Sequence, residues 1–283
     1  MKRLRIVTDS VCDLPAELAA RYEITVVPVL VKLGDAVYRD GELTLEQLYD
    51  PGNPPPYTEA PSREELRRAY LTLAAQGAEI LSIHVGGNLS ETVATVRELQ
   101  RELAGRADIE LVDTETAALS EGLLVLRAAM LAASGARRDQ VHSVLKELIP
   151  QTCTLFAVAD LKNLVRGGRL GRTQAMVGSV MDLHPVFSIS TGGEAKVVYK
   201  ARGWDRALDF VRTTLMEHIT YPRENYIGVM HARLPAVANE LAETIRRELA
   251  PREVIVAEVG AGMDVHVGAG AIGITFLSEK GRI

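Results

Sequence analysis

The sequence predicts an α/β protein of two domains. Through the first half of its 283 residues, short runs typical of buried strands alternate with amphipathic helical segments, which indicates a parallel sheet covered by helices. Near Pro150 this alternation ends, and Gly192-Gly193 between two apolar runs gives a hairpin signal that favours an α+β unit. We therefore expect an N-terminal α/β domain at residues 1–150 and a C-terminal α+β domain at residues 151–283.

Local signals define the elements of the N-terminal domain. Thr44 with Gln47 and Ser62 with Glu65 have the spacing of capping boxes, which open helices. Prolines cluster at residues 51–61, so this segment is the clearest break in the regular secondary structure. The segment at about 51–77 is a candidate crossing to the other domain. In chain order we predict a strand at Ile6–Ser10, a helix capped by Asp13 with Pro15 in its first turn, a strand at Thr25–Leu33, a helix opened by Thr44, a helix at Ser62–Ala75, a strand at Ala78–Val85, a helix at Ser90–Leu103, a strand at Ile109–Asp113 and a helix at Ser120–Ala133.

The C-terminal domain shows shorter elements and a hairpin. In chain order we predict a strand at Leu155–Val158, a helix at Leu161–Val165, a helix at Thr173–Met181, hairpin strands at Val186–Ser190 and Ala195–Lys200, helices at Asp205–His218 and Ala236–Leu249, and strands around Ile227 and Ile255. Val265-His266-Val267 has the alternation of a strand, which would point His266 to one side.

Composition excludes several function classes. Hydrophobic residues make up 47% of the chain and charged residues 24%, with a net charge of −5, so no global charge recruits nucleic acid. No apolar run reaches the length of a membrane span, and no signal peptide is recognisable, so we expect a cytoplasmic protein without stable membrane insertion. Cys12 and Cys153 lie far apart without metal-ligand spacing, so neither a disulfide nor a metal site is expected.

No catalytic or nucleotide motif is convincing. The sequence lacks a GxSxG elbow, an HExxH helix and a Walker loop, so we expect no catalytic residue. The run Gly268–Gly273 matches GxGxxG, but too few residues follow it to form a βαβ dinucleotide unit. We therefore expect no cofactor.

Four clusters remain as candidates for binding an anionic group. Gly86-Gly87-Asn88 with Ser90 links a predicted strand to a helix N-terminus, where free backbone N–H groups suit a carboxylate or phosphate. Thr58 precedes a capped helix, Arg169 follows a glycine pair, and His266 precedes a glycine-rich turn. Structural alternatives stay open, because threonine and serine often shape turns or caps, an arginine is often a solvated helix end, and a histidine is often a core residue.

Taken together, these clusters resemble the DegV family of bacterial lipid-binding proteins, over nearly the whole chain. The resemblance rests on Ile6-Val7-Thr8-Asp9-Ser10, Asp13-Leu14-Pro15, Val27-Pro28-Val29, Tyr38-Arg39-Asp40-Gly41, Pro56-Tyr57-Thr58-Glu59-Ala60-Pro61-Ser62, Leu89-Ser90-Glu91-Thr92, Val112-Asp113-Thr114, Leu161-Lys162-Asn163-Leu164-Val165-Arg166-Gly167-Gly168-Arg169-Leu170, Tyr199-Lys200-Ala201-Arg202-Gly203 and His266-Val267-Gly268-Ala269-Gly270-Ala271-Ile272-Gly273. Each motif is modest alone, and their order and spacing make the combined signal specific.

The resemblance implies a two-domain α/β fold with a ligand tunnel between the domains, in which a long-chain fatty acid is buried. It further implies that the carboxylate is held near Thr58, the loop Gly86–Asn88, Ser90, Arg169 and His266. Some members present the bound acid to a fatty acid kinase, which makes the acyl phosphate, so the resemblance implies that this protein performs no chemistry of its own. A bound fatty acid and a kinase subunit are therefore the expected ligand and partner.

This chain departs from the family pattern near the expected head group. The family usually has serines at the positions of Gly86 and Gly87, a serine at Glu59 and a glycine at Glu91. At Gly86 and Gly87 two hydroxyl donors are thus lost, and at Glu59 and Glu91 two carboxylates appear. Backbone N–H groups at glycine approach ligands closely, so the glycine amides could replace part of the lost hydrogen bonding.

The main alternative is an enzyme of phosphoryl or acyl transfer that uses an interdomain crevice. Asp9, Asp113, Arg169 and His266 are the residues that such a crevice would contain, although Asp9 and Asp113 could equally cap helices. A third alternative is a regulatory protein controlled by a small ligand, but no basic groove or helix-turn-helix pattern favours contact with DNA.

Overall fold

The computed structural model describes residues 3–169, 183–189 and 192–282. The described chain forms two compact units, which are treated separately below. Unit 1 consists of Met1–Ile149 with Gly260–Gly262, and unit 2 consists of Pro150–Val259 with Met263–Ile283. The helix predicted at Thr173–Met181 lies outside the described residues.

Unit 1 contains a parallel sheet covered by helices on both faces, as predicted. Its strands and helices are β1 (Leu4–Asp9), α1 (Ala16–Arg21), β2 (Thr25–Val27), β3 (Leu30–Leu33), β4 (Ala36–Arg39), α2 (Leu45–Leu48), β5 (Tyr57–Glu59), α3 (Arg63–Ala75), β6 (Glu79–His84), α4 (Thr92–Glu102), β7 (Asp108–Asp113), α5 (Leu119–Ala133) and α6 (Arg138–Leu148). In the described part of the chain the parallel sheet has the order β2-β1-β6-β7.

The helices of unit 1 bury an apolar core on each face of this sheet. Leu66 and Tyr70 of α3 pack with Leu99 of α4 on one face, and Val125 of α5 packs with Leu145 of α6 on the other. Helix α6 had no counterpart among the predicted elements. The predicted cap of α1 is wrong, because Pro15 occupies the N-cap position and Asp13 adopts a left-handed conformation before it.

A second, antiparallel sheet of order β4-β3-β5 lies within unit 1. The prediction of one strand over Thr25–Leu33 is wrong, since β2 joins the parallel sheet and β3 joins the antiparallel one. Pro28 lies between them and has no N–H to donate to a ladder, which explains the interruption. Strand β5 lies inside the proline-rich segment, which was predicted as a break.

Unit 2 contains a mixed sheet with its own helices. Its elements are β8 (Thr152–Ala157), α7 (Lys162–Gly167), β9 (Leu183–Ile189), β10 (Ala195–Arg202), α8 (Trp204–His218), β11 (Tyr226–His231), α9 (Pro235–Leu249), β12 (Glu253–Glu258), α10 (Ala261–Val267, begun in unit 1) and β13 (Ile272–Leu277). The order in the described residues is β10-β9-β8-β13-β11-β12, with β9 and β10 forming the predicted antiparallel hairpin.

The two faces of this sheet differ in what packs on them. Leu155, Val229 and Ile274 point to the face on which α8 and α9 form the apolar core. The strand registers place a different set on the opposite face, which we call the second face: Thr154, Phe156, Phe187, Gly228, Met230, Gly273 and Thr275. None of the described helices is long and apolar enough to cross a membrane.

Candidate functional site

The turn after β6 explains why glycine stands at position 86. The Gly86 N–H donates to the carbonyl of Thr116 at 2.8 Å, and its carbonyl accepts from Leu89 and Ser90. A Cβ on Gly86 would lie 3.1 Å from backbone atoms of Glu115 and Thr116, a contact tighter than most real side chains make. The glycine thus allows the segment after β7 to approach, and its amide is already bonded within unit 1.

Gly87 is bonded to a carboxylate. Its N–H donates to both oxygens of Asp113, at 3.1 and 3.3 Å, and a Cβ at this position would come 2.8 Å from Asp113 Oδ2. Asp113 also accepts from the N–H of Glu115. The idea that the two glycine amides replace the hydroxyl donors is therefore not supported by this arrangement, because both amides have acceptors inside the protein.

Ser90 lies at the start of α4. Its hydroxyl lies 2.9 Å from Thr92 Oγ1 and accepts from the Thr92 N–H at 3.3 Å, so it bonds one of the free N–H groups of the first turn. Asn88 is exposed beside it. Ser90 thus bonds the first turn of α4, although Glu91 and not Ser90 occupies the N-cap position.

Thr58 lies on β5, and its side chain points to the opposite face of the strand from the side chain of Glu59. It pairs with Val31 in the ladder between β3 and β5, so Tyr57 and Glu59 point to the opposite face. Glu59 forms an ion pair of 2.6 Å with Lys32 and raises the pKa of that lysine. The charge of Glu59 is thus compensated on the face away from Thr58.

In unit 2, His266 lies on a helix, and the predicted strand is wrong. Helix α10 ends where the Gly268 N–H donates to the Asp264 carbonyl at 2.7 Å, with Gly268 at φ 71°. The His266 ring packs so closely on α7 that a Cβ at Gly167 would lie 2.6 Å from its Nδ1. Position 167 therefore requires glycine for the imidazole to occupy this place.

Burial and two arginines control the charge of His266. Burial, and to a lesser extent the positive charges of Arg169 and Arg166, lower the pKa of His266 to about 4. The Arg169 guanidinium donates to the Gly167 carbonyl at 2.7 Å, which holds it near the end of α7, and Arg166 donates to Asn163. At neutral pH the imidazole is uncharged and lies in a positive field, which favours an anion.

Packing accounts for the glycine pattern after α10. A Cβ at Gly268 would lie 2.2 Å from Asn163 Nδ2, and one at Gly270 would lie 2.6 Å from the Ala159 Cβ. Gly273 belongs to β13, where a Cβ would lie 3.0 Å from the Leu155 carbonyl. Close packing against Asn163, Ala159 and Leu155 therefore accounts for glycine at these three positions.

Comparison with known proteins gives the family. The model of the DegV family, described as an uncharacterised protein family, matches residues 3–279. The chain belongs to the DegV family. A DegV domain-containing protein of Deinococcus radiodurans is 33% identical over 96% of this chain and 97% of its own length. One of Caldanaerobacter subterraneus is 30% identical over 99% of this chain and 100% of its own length.

Solved DegV structures match the fold over the full chain. A Thermus thermophilus DegV family protein, reported for its fatty acid binding, is 32% identical with a TM-score of 0.88, covering 98% of this chain and 99% of that one. A DegV protein of Bacillus subtilis matches with a TM-score of 0.87 at 24% identity, over 99% of this chain and 100% of that one, and at that identity it shows the fold alone.

A buried polar chain in this DegV protein was not among the predicted site residues. Tyr70 OH lies 2.8 Å from Ser82 Oγ, Ser82 Oγ lies 2.7 Å from His84 Nε2, and His84 Nδ1 lies 2.9 Å from Asp9 Oδ2, all with fully buried side chains. The i, i+2 spacing of Ser82 and His84 on one strand was the available signal. Asp9 also caps the turn after β1 by accepting from the Val11 N–H, as the capping alternative expected.

Two carboxylates named for the enzyme alternative are engaged inside unit 1. Asp9 is 0% exposed, so no substrate reaches its carboxylate, and Asp113 is bonded to Gly87. No group of three or more metal-ligating side chains occurs in the described residues. A surface cleft of about 850 Å³ in unit 1 is lined by residues such as Arg138, His142 and Lys146, and by none of the candidate residues.

Proposed function

We propose that this protein binds a long-chain fatty acid. The observation that carries the proposal is the match to the Thermus thermophilus DegV family protein reported for fatty acid binding, at 32% identity over nearly both whole chains. At this identity, with a TM-score of 0.88, the two proteins share the fold. A fatty acid is the ligand class that this relation supports best.

In unit 2, we assign the carboxylate to Arg169 and His266. The field of Arg169 and Arg166 that disfavours an imidazolium at His266 stabilises a carboxylate at the same place. A neutral imidazole donates one hydrogen bond, and the guanidinium of Arg169 adds a charge-assisted one, the stronger kind. The His266 ring is held by close packing on Gly167 of α7, and Arg169 is held by its bond to the Gly167 carbonyl.

In unit 1, we assign to the ligand Thr58 on β5 and Asn88 in the turn after β6. Thr58 supplies a hydroxyl on the face of β5 away from the Glu59 carboxylate. Gly86 and Gly87 shape the turn, because their amides bond Thr116 and Asp113, and Ser90 holds the start of α4. The amides of Gly86 and Gly87 are therefore assigned no bond to the carboxylate.

Mass spectrometry tests the cargo. Burying about twelve methylenes at ~0.8 kcal/mol each stabilises a complex by roughly 10 kcal/mol before the costs of association, so a fatty acid should co-purify with the protein. The organic extract of purified protein should contain a long-chain acid in near-equal molar amount. An empty extract, together with no thermal stabilisation of the protein by added fatty acids, would contradict the proposal.

We extend the proposal to a partner, a fatty acid kinase to which the bound acid is presented. The extension rests on the family resemblance and on the lack of a phosphate-binding loop in the sequence, so the phosphoryl chemistry is assigned to the partner. Purified kinase, ATP and the loaded protein should yield acyl phosphate, whereas the loaded protein with ATP alone should not. Product formation without the kinase would favour the enzyme alternative instead.

A further inference from the structure

The Asp113 carboxylate joins two loops at one edge of the parallel sheet in unit 1. Asp113 ends β7 and is paired with His84 at the end of β6. Its Oδ1 accepts from the N–H of Glu115 at 3.0 Å, within its own loop. Both carboxylate oxygens also accept from the N–H of Gly87, at 3.1 and 3.3 Å, in the turn after β6. The Asp113 side chain therefore ties the turn after β6 to the loop after β7.

Gly87 is needed for this contact rather than for its own backbone conformation. Its φ lies outside the left-handed region that favours glycine, so other residues could adopt the same backbone. A Cβ at this position would lie 2.8 Å from Asp113 Oδ2, closer than real Cβ contacts, whereas the next atom, on Val93, would lie at an ordinary 3.5 Å. A methyl group at Gly87 would therefore displace the carboxylate and lengthen its bonds to the amide.

The restrained residue lies directly before Asn88, which the proposed function assigns to the ligand. The turn also has a backbone bond from the Gly86 N–H to the Thr116 carbonyl, at 2.8 Å. Asp113 is the charged acceptor in this set, and hydrogen bonds with one charged partner are roughly twice as strong as neutral ones. The place of Asn88 thus depends on a side chain that a mutation can remove without changing the sequence of the turn.

We propose that Asp113 is a positioning residue for binding of the fatty acid head group. It holds the Gly87 amide, and through it the turn from which the Asn88 side chain reaches the carboxylate. The inference rests on the proposed function, since it requires Asn88 to contact the ligand. A binding contact is strong only when its supporting residues hold it within about half an ångström of the productive position. Asp113 therefore acts through the turn and not on the ligand.

The negative charge of Asp113 makes the direction of the effect informative. If this carboxylate faced the ligand directly, it would repel the fatty acid carboxylate, and its removal would tighten binding. If it positions the turn, its removal weakens binding, because Asn88 is no longer held in place. The two roles thus predict changes of opposite sign in the same variant.

The experiment uses full-length, delipidated protein and compares palmitic acid with cetyl alcohol, which has the same alkyl chain and an uncharged head group. Displacement of a fluorescent fatty acid gives the affinities. Asp113→Ala should weaken palmitic acid binding by about tenfold and cetyl alcohol binding by less than about twofold. A general loss of structure would weaken both ligands alike, so the ratio of the two affinities reports positioning. Asp113→Asn keeps an acceptor and the side-chain shape, so it should show a smaller loss, and it replaces Asp113→Ala if that variant does not fold.

Gly87→Ala tests the same bonds from the other side. It should weaken palmitic acid binding by a similar factor, because the added methyl group displaces the carboxylate. Since both changes disrupt one contact, the double variant Asp113→Ala with Gly87→Ala should bind no more weakly than the weaker single variant.

Asp108→Ala is the matched control. Asp108 begins the strand that Asp113 ends, and its carboxylate pairs with Arg138 at 2.7 Å, away from the turn. This variant should bind both ligands like the wild-type protein. Unchanged or tighter binding of palmitic acid by Asp113→Ala, equal losses for acid and alcohol, or additive losses in the double variant would overturn the role of Asp113 and leave fatty acid binding intact. Failure of the wild-type protein to bind palmitic acid would overturn both.

Discussion

His266 and Glu121 are buried titratable side chains whose pKa values move in opposite directions. Burial is the main cause in both, since it disfavours the imidazolium of His266 and the carboxylate of Glu121. Neighbouring charges shift both pKa values in the same directions as burial does. The charge comes from Arg169 for the histidine and from Asp9 for the glutamate. Each side chain is thus held toward its neutral form, which gives the stability of the protein a measurable dependence on pH.

For His266 the stability decreases as the pH falls. The pKa of about 4 in the folded protein is below the ordinary value of 6.5, so between these values the unfolded chain binds a proton that the folded one excludes. Urea unfolding, followed by fluorescence of Trp204 in unit 2, should show this loss between about pH 6.5 and 4. His266→Gln should weaken the dependence, and an unchanged dependence would place its origin elsewhere.

For Glu121 the stability decreases as the pH rises. Its Oε1 accepts from the Thr8 hydroxyl at 2.9 Å, while Oε2 has no partner in the described residues. Because the folded pKa is raised, stability is lost as the pH rises from about 4.5 through the folded value. Glu121→Gln should raise the unfolding free energy at neutral pH by on the order of 1–3 kcal/mol and have less effect at pH ~5. The same change at the exposed Glu98 should leave the unfolding free energy nearly unchanged at both pH values. A gain in unfolding free energy in Glu98→Gln similar to that in Glu121→Gln would contradict the assignment.

At the scale of elements, local signals predicted the helices and parallel strands but not the elements that depend on distant partners. Helix α3 begins at the predicted cap, with Ser62 accepting from the Glu65 N–H. Strand β5 exists because β3 pairs with it, and its proline-rich surroundings hid it. Helix α10 has a strand-like alternation, but Asp13 accepts from the Gly260 N–H and Asp40 from the Gly262 N–H across more than 200 residues.

The site was predicted as a set of residue positions rather than as a set of contacts. The turn at Gly86 and Gly87 was found from its glycines, but the acceptors of their amides come from Thr116 and Asp113, which no local pattern links to them. The positive field at His266 arises because α7 lies close to α10. The distance between these two helices cannot be read from a single sequence. The order of the motifs identified the candidate residues. Tertiary packing determines which of their N–H groups bond acceptors inside the protein.

Close packing at Gly262 makes the start of α10 sensitive to one methyl group. A Cβ there would lie 2.7 Å from Val29 Cγ2 and 2.9 Å from Asp40 Oδ2. Gly262→Ala should therefore destabilise unit 1 by about 1–3 kcal/mol. Since part of this cost is the contact with Val29, Gly262→Ala combined with Val29→Ala should cost less than the sum of the single changes, as measured by chemical denaturation. Strict additivity would show that the packing relaxes around the methyl group.

At the scale of the whole molecule, ligand binding is linked to folding. The match to DegV relatives covers nearly the whole chain, so the proposed fatty acid binding is tested on the intact protein. A ligand that binds only the folded protein stabilises it by an amount that grows with the ratio of free ligand to Kd. Thermal unfolding of the full chain therefore reports head-group contacts without any catalytic assay.

Arg169 is the residue for which this linkage gives the sharpest result. In wild-type protein, free fatty acid at a hundredfold excess over Kd should add about 2.7 kcal/mol of stability. Arg169→Ala removes a charge-assisted hydrogen bond of about 1.5–3 kcal/mol, so roughly 10- to 100-fold more ligand should be needed for the same rise in Tm. Arg247→Ala, a change at an exposed arginine of α9, should follow the wild-type curve. Titrating each delipidated variant and recording Tm at every concentration separates affinity from intrinsic stability, because the ligand-free values are measured alongside. Identical curves for Arg169→Ala and Arg247→Ala would move the carboxylate away from Arg169, while fatty acid binding itself would stand on the wild-type curve.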